Sequence, residues 1–328
     1  KLSLTLDIKH EQSYLILERL LSQTDVLVQN LAPSAMRKIG LDYESLQANH
    51  EKLIVCNISG YGPGGPYQHK KAYDLLVQAE AGFLSVTGTE EHMVKAGISV
   101  ADTAAGMHAF SAILAAIIQR GKTGKGSRID ISMLEAMVEW MGFPLYYAYD
   151  GAPPPPRRAA DHASIYPYGV FKTGDHKIIL IGLQNDREWE AFCKYVLAKP
   201  NLIKDSRFST NALRSENRDT LKEIIQALFS AQTSDQIITK LDDAQIAFAN
   251  VNDMKSVWNH PQLEALDRFV ATPTPEGIVS SLKPPTNNSE YEPTLSGIPA
   301  VGEHTKKILK ELQFSNTEIE EFVANKVV

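Results

Sequence analysis

Short strand-like runs, separated by helical or turn segments, dominate the first half of the chain. Residues 2–8 alternate apolar and polar positions, as a half-buried strand does, and residues 25–28, 53–58 and 128–132 are three further strand candidates. The spacing between them predicts helices over 11–22, 34–39, 43–49, 73–82, 103–119 and 133–149. This alternation predicts an α/β fold whose large domain, residues 1–150, is built on a Rossmann-like parallel sheet with crossover helices.

A run of four prolines within residues 151–158 interrupts this pattern and marks a domain boundary, because consecutive prolines hold the backbone extended. Residues 159–271 then predict a smaller α+β domain. Its strands are expected over 169–173 and 177–182, and its helices over 186–197, 211–215, 218–230 and 234–242. A second proline-rich stretch, residues 272–293, is expected to act as a linker. It leads to a helical tail that ends the third segment, 272–328.

Composition narrows the class of protein. The chain has 328 residues, 43% hydrophobic and 22% charged, which is ordinary for a soluble globular protein. A net charge of −6 argues against a dedicated nucleic-acid partner but leaves anionic small ligands open. No apolar run approaches a membrane span of about 20 residues, and no signal peptide is evident. Cys56 and Cys193 are too few for a disulfide framework or a metal site. We therefore expect a cytoplasmic protein, or a mitochondrial-matrix one in a eukaryote, with no metal and no membrane partner.

The most informative segment for chemistry is residues 100–107, where Asp102 precedes a helix of small and apolar residues. The peptide dipoles at a helix start favour an ionised carboxylate. The residues that follow are small, so a substrate has room to approach; they are Ala104, Ala105, Gly106 and Ala109. An accessible carboxylate can act as a nucleophile in covalent catalysis. The alternative is that Asp102 only caps the helix.

Two further groups of residues are candidates for ligand binding. The glycine-rich loop over 60–65 follows a predicted strand and could cradle phosphate, although it matches neither a dinucleotide fingerprint nor a P-loop and such loops are often plain surface turns. The basic pairs at 37–38 and 70–71 could hold a pyrophosphate or be solvated surface charges. Arg157, Arg158 and His162 lie near the entry to the second domain and could contact a substrate or lie on the surface.

Taken together, several segments resemble the class III CoA-transferases, the family of formyl-CoA transferase, carnitine CoA-transferase and succinyl-CoA:glutarate CoA-transferase. The α-methylacyl-CoA racemases share that fold. The matching segments follow the family's order over nearly the whole chain; they are residues 4–9 (LTLDIK), 25–30 (DVLVQN), 58–62 (ISGYG), 72–74 (AYD), 100–106 (VADTAAG), 122–126 (KTGKG), 164–168 (SIYPY), 302–305 (GEHT) and 327–328 (VV).

The resemblance implies a role for each matching position. Asp102 falls on the family's catalytic aspartate, whose carboxylate attacks an acyl-CoA thioester to give a mixed anhydride and then an aspartyl-CoA thioester. The family's CoA contacts fall on Leu6, Asp7, Ile8, Lys9, Asn30, Leu31, Ala32, Lys38, Lys71, Ala72, Tyr73 and Asp74. Coenzyme A and acyl-CoA would be substrates, with no permanently bound cofactor. The family also forms interlocked homodimers, which the two proline-rich linkers would suit, and its tail returns to the large domain.

The chain departs from the family's pattern in three places. Relatives carry an Asn-Arg-Gly-Lys segment, and about 65 residues with further CoA contacts, before the first matching strand; here Lys1 aligns with the end of that segment, so we expect the N-terminal part of the large domain to be missing. The turn after Asn30 reads Leu-Ala where relatives often have Phe-Arg. The glycine-rich substrate loop of formyl-CoA transferase is replaced by residues 161–164, as in the dicarboxylate-type relatives.

Three functions remain open at this point. The first is CoA transfer to a small carboxylate acceptor, for which Arg157, Arg158 and His162 favour a dicarboxylate. The second is an α-methylacyl-CoA racemase-type isomerase. That activity needs two proton-transfer groups, but Tyr73 stands where the racemases have a histidine. The third is an inactive CoA-binding remnant.

Overall fold

The structure is a computed structural model that describes residues 1–328, apart from the side chains of Pro33 and Ser34. Its strands are β1 Val26–Gln29, β2 Ile54–Ser59, β3 Arg128–Ser132, β4 Tyr168–Lys172, β5 Ile178–Gly182, β6 Ala247–Asn250, β7 Phe269–Thr274 and β8 Gly277–Leu282. Its α-helices are α1 Ser13–Leu21, α2 Pro33–Lys38, α3 Tyr43–Gln47, α4 Asp74–Glu80, α5 Phe83–Val86, α6 Val100–Thr123, α7 Met133–Trp140, α8 Gly142–Tyr147, α9 Asp186–Ala191, α10 Asn211–Glu216, α11 Arg218–Ser230, α12 Ser234–Asp243, α13 Met254–Trp258, α14 Pro261–Ala265, α15 Thr305–Glu311 and α16 Asn316–Ala324.

The chain divides into two compact units. The first contains residues 1–72, 102–136 and 256–328, and the second contains residues 73–101 and 137–255. Residues 73–101 and 137–150 therefore group with the second unit, whereas the sequence assigns them to a large domain of residues 1–150. The boundary expected at 151–158 lies inside the second unit, between α8 and β4.

A parallel sheet in the order β1-β2-β3 forms the centre of the first unit, as the alternation of strands and helices predicts. Parallel partners in register share a face, so each face can be followed across the sheet. On one face, Leu27 and Val55 pack under α2 and α3 in a core with Met36 and Leu46. On the other face, Ile58 and its neighbours contact the small side chains of α6 and α7. Both faces carry helices, as parallel sheets require.

Residues 2–8 do not form a strand, contrary to the prediction. The alternation is nevertheless real, because Leu4 and Leu6 pack into an apolar cluster built from α1, α15 and α16. The segment receives its hydrogen bonds from the tail instead of from a sheet; the Asp7 N–H, for example, donates to the Val327 carbonyl over 2.8 Å. The alternation of apolar and polar residues in this segment shows that one of its faces is buried. It does not indicate which part of the chain covers that face.

The proline-rich stretch 272–293 is not extended throughout, contrary to its interpretation as a linker. Its first part belongs to an antiparallel hairpin in which β7 pairs with β8. Gly277 turns the hairpin at φ +129°, a conformation that L side chains rarely adopt. Residues 283–299 carry no regular secondary structure, and α15 and α16 then form the helical tail that the sequence predicts.

The second unit is built on an antiparallel sheet in the order β4-β5-β6. An aromatic and aliphatic core, which includes Trp189, Phe192 and Phe229, packs against it. Arg214 is buried beside this core, and its guanidinium donates to the carbonyls of Tyr166 and Phe208 and to the Asp186 carboxylate. Burial of a charge is tolerated there because every side of the fork has an acceptor. Strand β6 was absent from the sequence prediction.

Helix α6 is longer than predicted and begins at Val100 instead of Thr103. Within the described part of the chain it is the one helix that could cross a membrane by length and composition, and 28% of its most apolar window is buried. The expectation that no apolar stretch reaches that length is therefore wrong. Core helices of water-soluble proteins have the same length and composition, so this property alone does not indicate a membrane protein.

Candidate functional site

Asp102 is the third residue of α6 and lies in its first turn, exposed to solvent. Because the helix already includes Val100 and Ala101, Asp102 does not occupy the capping position that precedes a helix. The first turn of a helix carries backbone N–H groups without helical partners, whose partial positive charge favours an acidic side chain there. The arrangement places a carboxylate at an accessible surface, where a ligand can reach it.

The small residues that follow Asp102 pack the first turns of α6 against the parallel sheet. Ala104 and Ala105 are buried and pack with Ala136 of α7 against Ile58 of β2 and Ile131 of β3. Methyl side chains let the helix axis approach the strands closely. The opposite side of the first turns, with Asp102, Thr103 and Gly106, stays exposed. The alanine-rich sequence therefore serves packing on one side and leaves the other side open to a ligand.

A polar network in the second unit holds the residue that precedes Asp102. One carboxylate oxygen of Asp74 accepts the Ala101 N–H at 2.8 Å, and the other accepts the Gln78 side-chain amide at 2.6 Å. The Gln78 carbonyl oxygen in turn accepts the Ala96 N–H at 2.9 Å. Asp74, expected to contact CoA, thus also satisfies one of the first N–H groups of α6. Gln78 is fully buried, and sequence reasoning missed it.

Residues 6–9, expected to contact CoA, lie at the end of the extended amino-terminal segment. The chain turns there, with the Lys9 N–H donating to the Asp7 carboxylate at 3.0 Å and the His10 N–H donating to the Asp7 carbonyl. Lys9 is exposed, whereas Leu6 and Ile8 are half-buried. The turn leaves one cation at the surface beside backbone groups, which suits a phosphate ligand.

The turn of Asn30, Leu31 and Ala32 follows the carboxyl end of β1. The Gln29 side chain holds it, because its carbonyl oxygen accepts the Leu31 N–H at 2.5 Å and its amide donates to Asn57 on β2 at 2.6 Å. Asn57 continues the row by donating to the Asp130 carboxylate on β3 at 3.0 Å. This polar row borders a cavity of about 60 Å³ beside α2 and α3. Lys38 is exposed at the last turn of α2.

The glycine-rich loop lies against Lys71 and Ala72. A Cβ at Gly60 would overlap the Ala72 side chain, so only glycine fits there. The Gly60 carbonyl accepts the Leu134 N–H at the start of α7, and Gly62 turns the chain at φ +83°. The loop therefore brings Lys71 and Ala72 to the carboxyl edge of the parallel sheet, the edge that also carries Asn30. Ligands of open α/β sheets bind at that edge.

Tyr73 lies at the capping position before α4 and is 71% exposed. It belongs with Asp74, Arg158 and His162 to the second unit, whereas the other predicted site residues belong to the first. Arg158 is engaged within its own unit, because its guanidinium donates to the Glu90 carboxylate at 2.8 Å. The neighbouring Arg157 donates to the carbonyls of Thr89 and Glu90. Both arginines thus hold the loop around residue 90.

His162 has a defined tautomer. Its Nδ1 accepts the N–H groups of Ser164 at 3.2 Å and Ile165 at 3.1 Å, so in the neutral ring the proton resides on Nε2. The ring stacks on Tyr168 with a centroid separation of 5.2 Å. Arg218 donates to the His162 carbonyl and fixes the same loop. His162 therefore presents an Nε2–H donor of fixed direction.

Comparison with known proteins places the chain in a family. The sequence profile described as "CoA-transferase family III" matches residues 1–305. The succinyl-CoA:glutarate CoA-transferase of Homo sapiens is 32% identical over an alignment of 333 residues, which covers 100% of this chain and 75% of that protein. The acetyl-CoA:oxalate CoA-transferase of Acetobacter aceti is 30% identical over 272 residues, covering 82% of this chain and 69% of that protein.

Comparison with a solved structure supports the same family assignment through the fold. A CAIB/BAIF family protein from Brucella suis matches this structure with a TM-score of 0.83 and 30% sequence identity. The match covers 94% of this chain and 81% of that one. Sequence and fold thus agree over nearly the whole molecule, and the chain belongs to CoA-transferase family III, the class III CoA-transferases.

Proposed function

We propose that this chain transfers CoA from an acyl-CoA donor to a small dicarboxylate, with Asp102 as the nucleophile. The observation that carries the proposal is the exposed carboxylate in the first turn of α6. The names of relatives support the substrate class, since the human relative acts on glutarate and the Acetobacter aceti relative on oxalate.

The proposed reaction proceeds by acyl exchange at Asp102. A carboxylate oxygen attacks the thioester carbonyl, the C–S bond breaks, and CoA leaves as a thiolate, giving a mixed anhydride. The thiolate then attacks the aspartyl carbonyl, which releases the donor acid and leaves an aspartyl-CoA thioester. The acceptor carboxylate then attacks the aspartyl-CoA carbonyl and displaces the thiolate, giving a second mixed anhydride. The thiolate attacks the acceptor's carbonyl in that anhydride, which forms the new acyl-CoA and releases Asp102 as a free carboxylate. Each step exchanges one acyl leaving group for another and requires no oxidant or reductant.

Charge and loop geometry support CoA binding in the first unit. The predicted CoA contacts include three exposed cations, Lys9, Lys38 and Lys71, which suit the phosphates of CoA. Asn30 and Ala72 accompany them at the carboxyl edge of the sheet, where the glycine loop and the turn after β1 expose backbone groups. The same edge binds ligands in other open α/β sheets.

Support for the acceptor comes from His162 more than from Arg158. The Nε2–H of His162 can donate to a carboxylate, and its Nδ1 bonds keep the ring in place. Arg158 already forms an ion pair with Glu90. Its contribution to acceptor binding is therefore positive charge near the loop around residue 90. We propose His162 as a residue that donates a hydrogen bond to a carboxylate of the acceptor.

The test of the proposal is CoA exchange by the Asp102→Asn variant. The amide cannot attack the thioester, so exchange from succinyl-CoA to glutarate or oxalate is expected to fall at least about a thousandfold. Asp243→Asn, an exposed aspartate at the end of α12, is the matched control and should retain activity. Hydroxylamine trapping followed by mass mapping should place the acyl group on residue 102 of the wild-type protein.

Three results would contradict the proposal. Unchanged exchange by Asp102→Asn would remove the nucleophile. Incorporation of deuterium at the α-carbon of a 2-methylacyl-CoA, without CoA exchange, would favour the racemase alternative. A protein that shows neither activity but binds CoA would fit the remnant alternative.

A further inference from the structure

We propose that the tail motif Gly302-Glu303-His304-Thr305 positions the acyl-CoA-binding segment by clamping residues 3–5. The motif lies in residues 302–305, about 300 positions along the chain from the segment that it contacts. The inference rests on the proposed function, because residues 6–9 matter to it only as CoA contacts. Gly302, His304 and Thr305 make the contacts to residues 3–5 and are proposed as positioning residues.

Ser3 is held from three directions. The Ser3 N–H donates to Nδ1 of His304 at 3.2 Å, and the His304 N–H donates back to the Ser3 carbonyl at 3.0 Å. The Gly302 N–H donates to the Ser3 hydroxyl oxygen at 2.9 Å. The two bonds between Ser3 and His304 are reciprocal, as between paired strands, except that the His304 imidazole takes the place of a backbone carbonyl as acceptor.

Thr5 is held by a single residue, Thr305. The Thr5 N–H donates to the Thr305 hydroxyl oxygen at 3.1 Å, and the two threonine hydroxyls lie 3.1 Å apart. Gly302 completes the contact, because it has φ +72° and a Cβ there would come within 3.0 Å of the Thr5 side chain. The motif thus needs a glycine for close approach, and a hydroxyl and an imidazole for hydrogen bonding.

The clamp determines the conformation of the segment because the sheet does not. Residues 2–7 belong to no strand in the described structure, so their polar backbone groups depend on the tail. Leu4 and Leu6 pack against the apolar cluster of the tail, while the alternate residues Ser3 and Thr5 form hydrogen bonds with the motif. The chain turns directly afterwards, at Asp7 and Lys9. Loosening the clamp therefore displaces the proposed CoA contacts without altering Asp102.

The experiment measures KM for acyl-CoA and KM for the carboxylate acceptor separately. Thr305→Val keeps the shape of the side chain and removes the hydroxyl, so KM for acyl-CoA is expected to rise about three- to tenfold. The kcat and the KM for the carboxylate should stay within about twofold. Thr305→Ser restores the hydroxyl and should restore KM.

Thr317→Val, an exposed threonine of α16, is the matched control. Ser3→Ala, which removes the acceptor for the Gly302 N–H, replaces Thr305→Val if that variant does not fold.

The outcomes distinguish the clamp from the proposed function. Wild-type KM values in both Thr305→Val and Ser3→Ala would overturn the clamp alone, as would equal increases of KM for the two substrates. Absence of CoA binding to the wild-type protein, measured by calorimetry with CoA itself, would overturn the proposed function and with it the clamp. A selective increase for acyl-CoA that Thr305→Ser reverses would support the clamp, since a general loss of packing would not be specific to one substrate.

Discussion

At the scale of single residues, the two cysteines give a test of the interior that is independent of catalysis. Burial raises the pKa of the Cys193 thiol to about 12, and burial together with the Asp130 charge raises the pKa of Cys56. A thiol must ionise to react, so neither cysteine should react with a disulfide reagent at about pH 8 in the native protein. Both should react in concentrated guanidinium chloride.

The same shift predicts the direction of a pH effect on stability. The unfolded chain loses its thiol proton at a lower pH than the native chain, so it binds fewer protons as the solution becomes alkaline. The free energy of unfolding should therefore fall as the pH rises above about 9. Rapid labelling of Cys193 in the folded protein at about pH 8 would contradict the burial on which both expectations rest.

Residue chemistry could be predicted from the sequence where it depends on neighbours along the chain. Asp102 stands out because small residues follow it and a helix begins there. Gln78 does not stand out, because its partners Asp74 and Ala96 meet it only after folding. The spacing of four residues between Asp74 and Gln78 was the single available signal, and many unrelated pairs share it.

At the scale of elements, the glycine loop gives a direct test of close approach. Gly60→Ala adds a methyl group that overlaps the Ala72 side chain, so it should lower the free energy of unfolding by about 1–3 kcal/mol. Gly64→Ala is the matched control in the same loop, since a Cβ there meets nothing within 4 Å. Denaturant titration followed by circular dichroism measures both. The double variant with Ala72→Gly should recover most of the loss, and failure to recover it would mean that the overlap is not the cause.

The sequence predicted most closely those helices and strands that have a regular hydrophobic pattern and end at residues typical of turns. The parallel strands β1, β2 and β3 and the helices between them follow from their apolar runs, and the family and the α/β class are confirmed. The hairpin of β7 and β8 was missed because Pro273 and Pro275 fall in and beside it, and proline is depleted in strands. Residues 2–8 were assigned to a strand because alternation marks a buried face but not the element that covers it.

At the scale of the whole molecule, the first unit exposes an apolar stripe on α6. Met107, Phe110, Leu114 and Ile118 recur every three or four residues along the helix, and Phe110 is 60% exposed. Exposed apolar side chains in a row of this kind are typical of a protein–protein interface. We propose that a second copy of the chain covers it, as expected for the interlocked homodimers of the resemblance.

Oligomeric state tests this expectation. The wild-type protein should have twice the mass of the chain by light scattering coupled to size exclusion. Phe110→Asp should shift the mass to that of a single chain or lead to aggregation, because a charge cannot be buried in an apolar contact without a partner. Gln119→Glu, an exposed position on the same helix, should leave the mass unchanged. A wild-type protein of single-chain mass would contradict the proposed homodimer.

The contact between residues 3–5 and residues 302–305 also bears on biosynthesis. A ribosome makes the first of these segments long before the second, so a growing polypeptide holds residues 3–7 without their partners for most of translation. The proposed CoA site therefore cannot mature during elongation. Acyl-CoA in the cell should not engage a nascent chain, and binding competence should appear only once residues 302–327 have emerged.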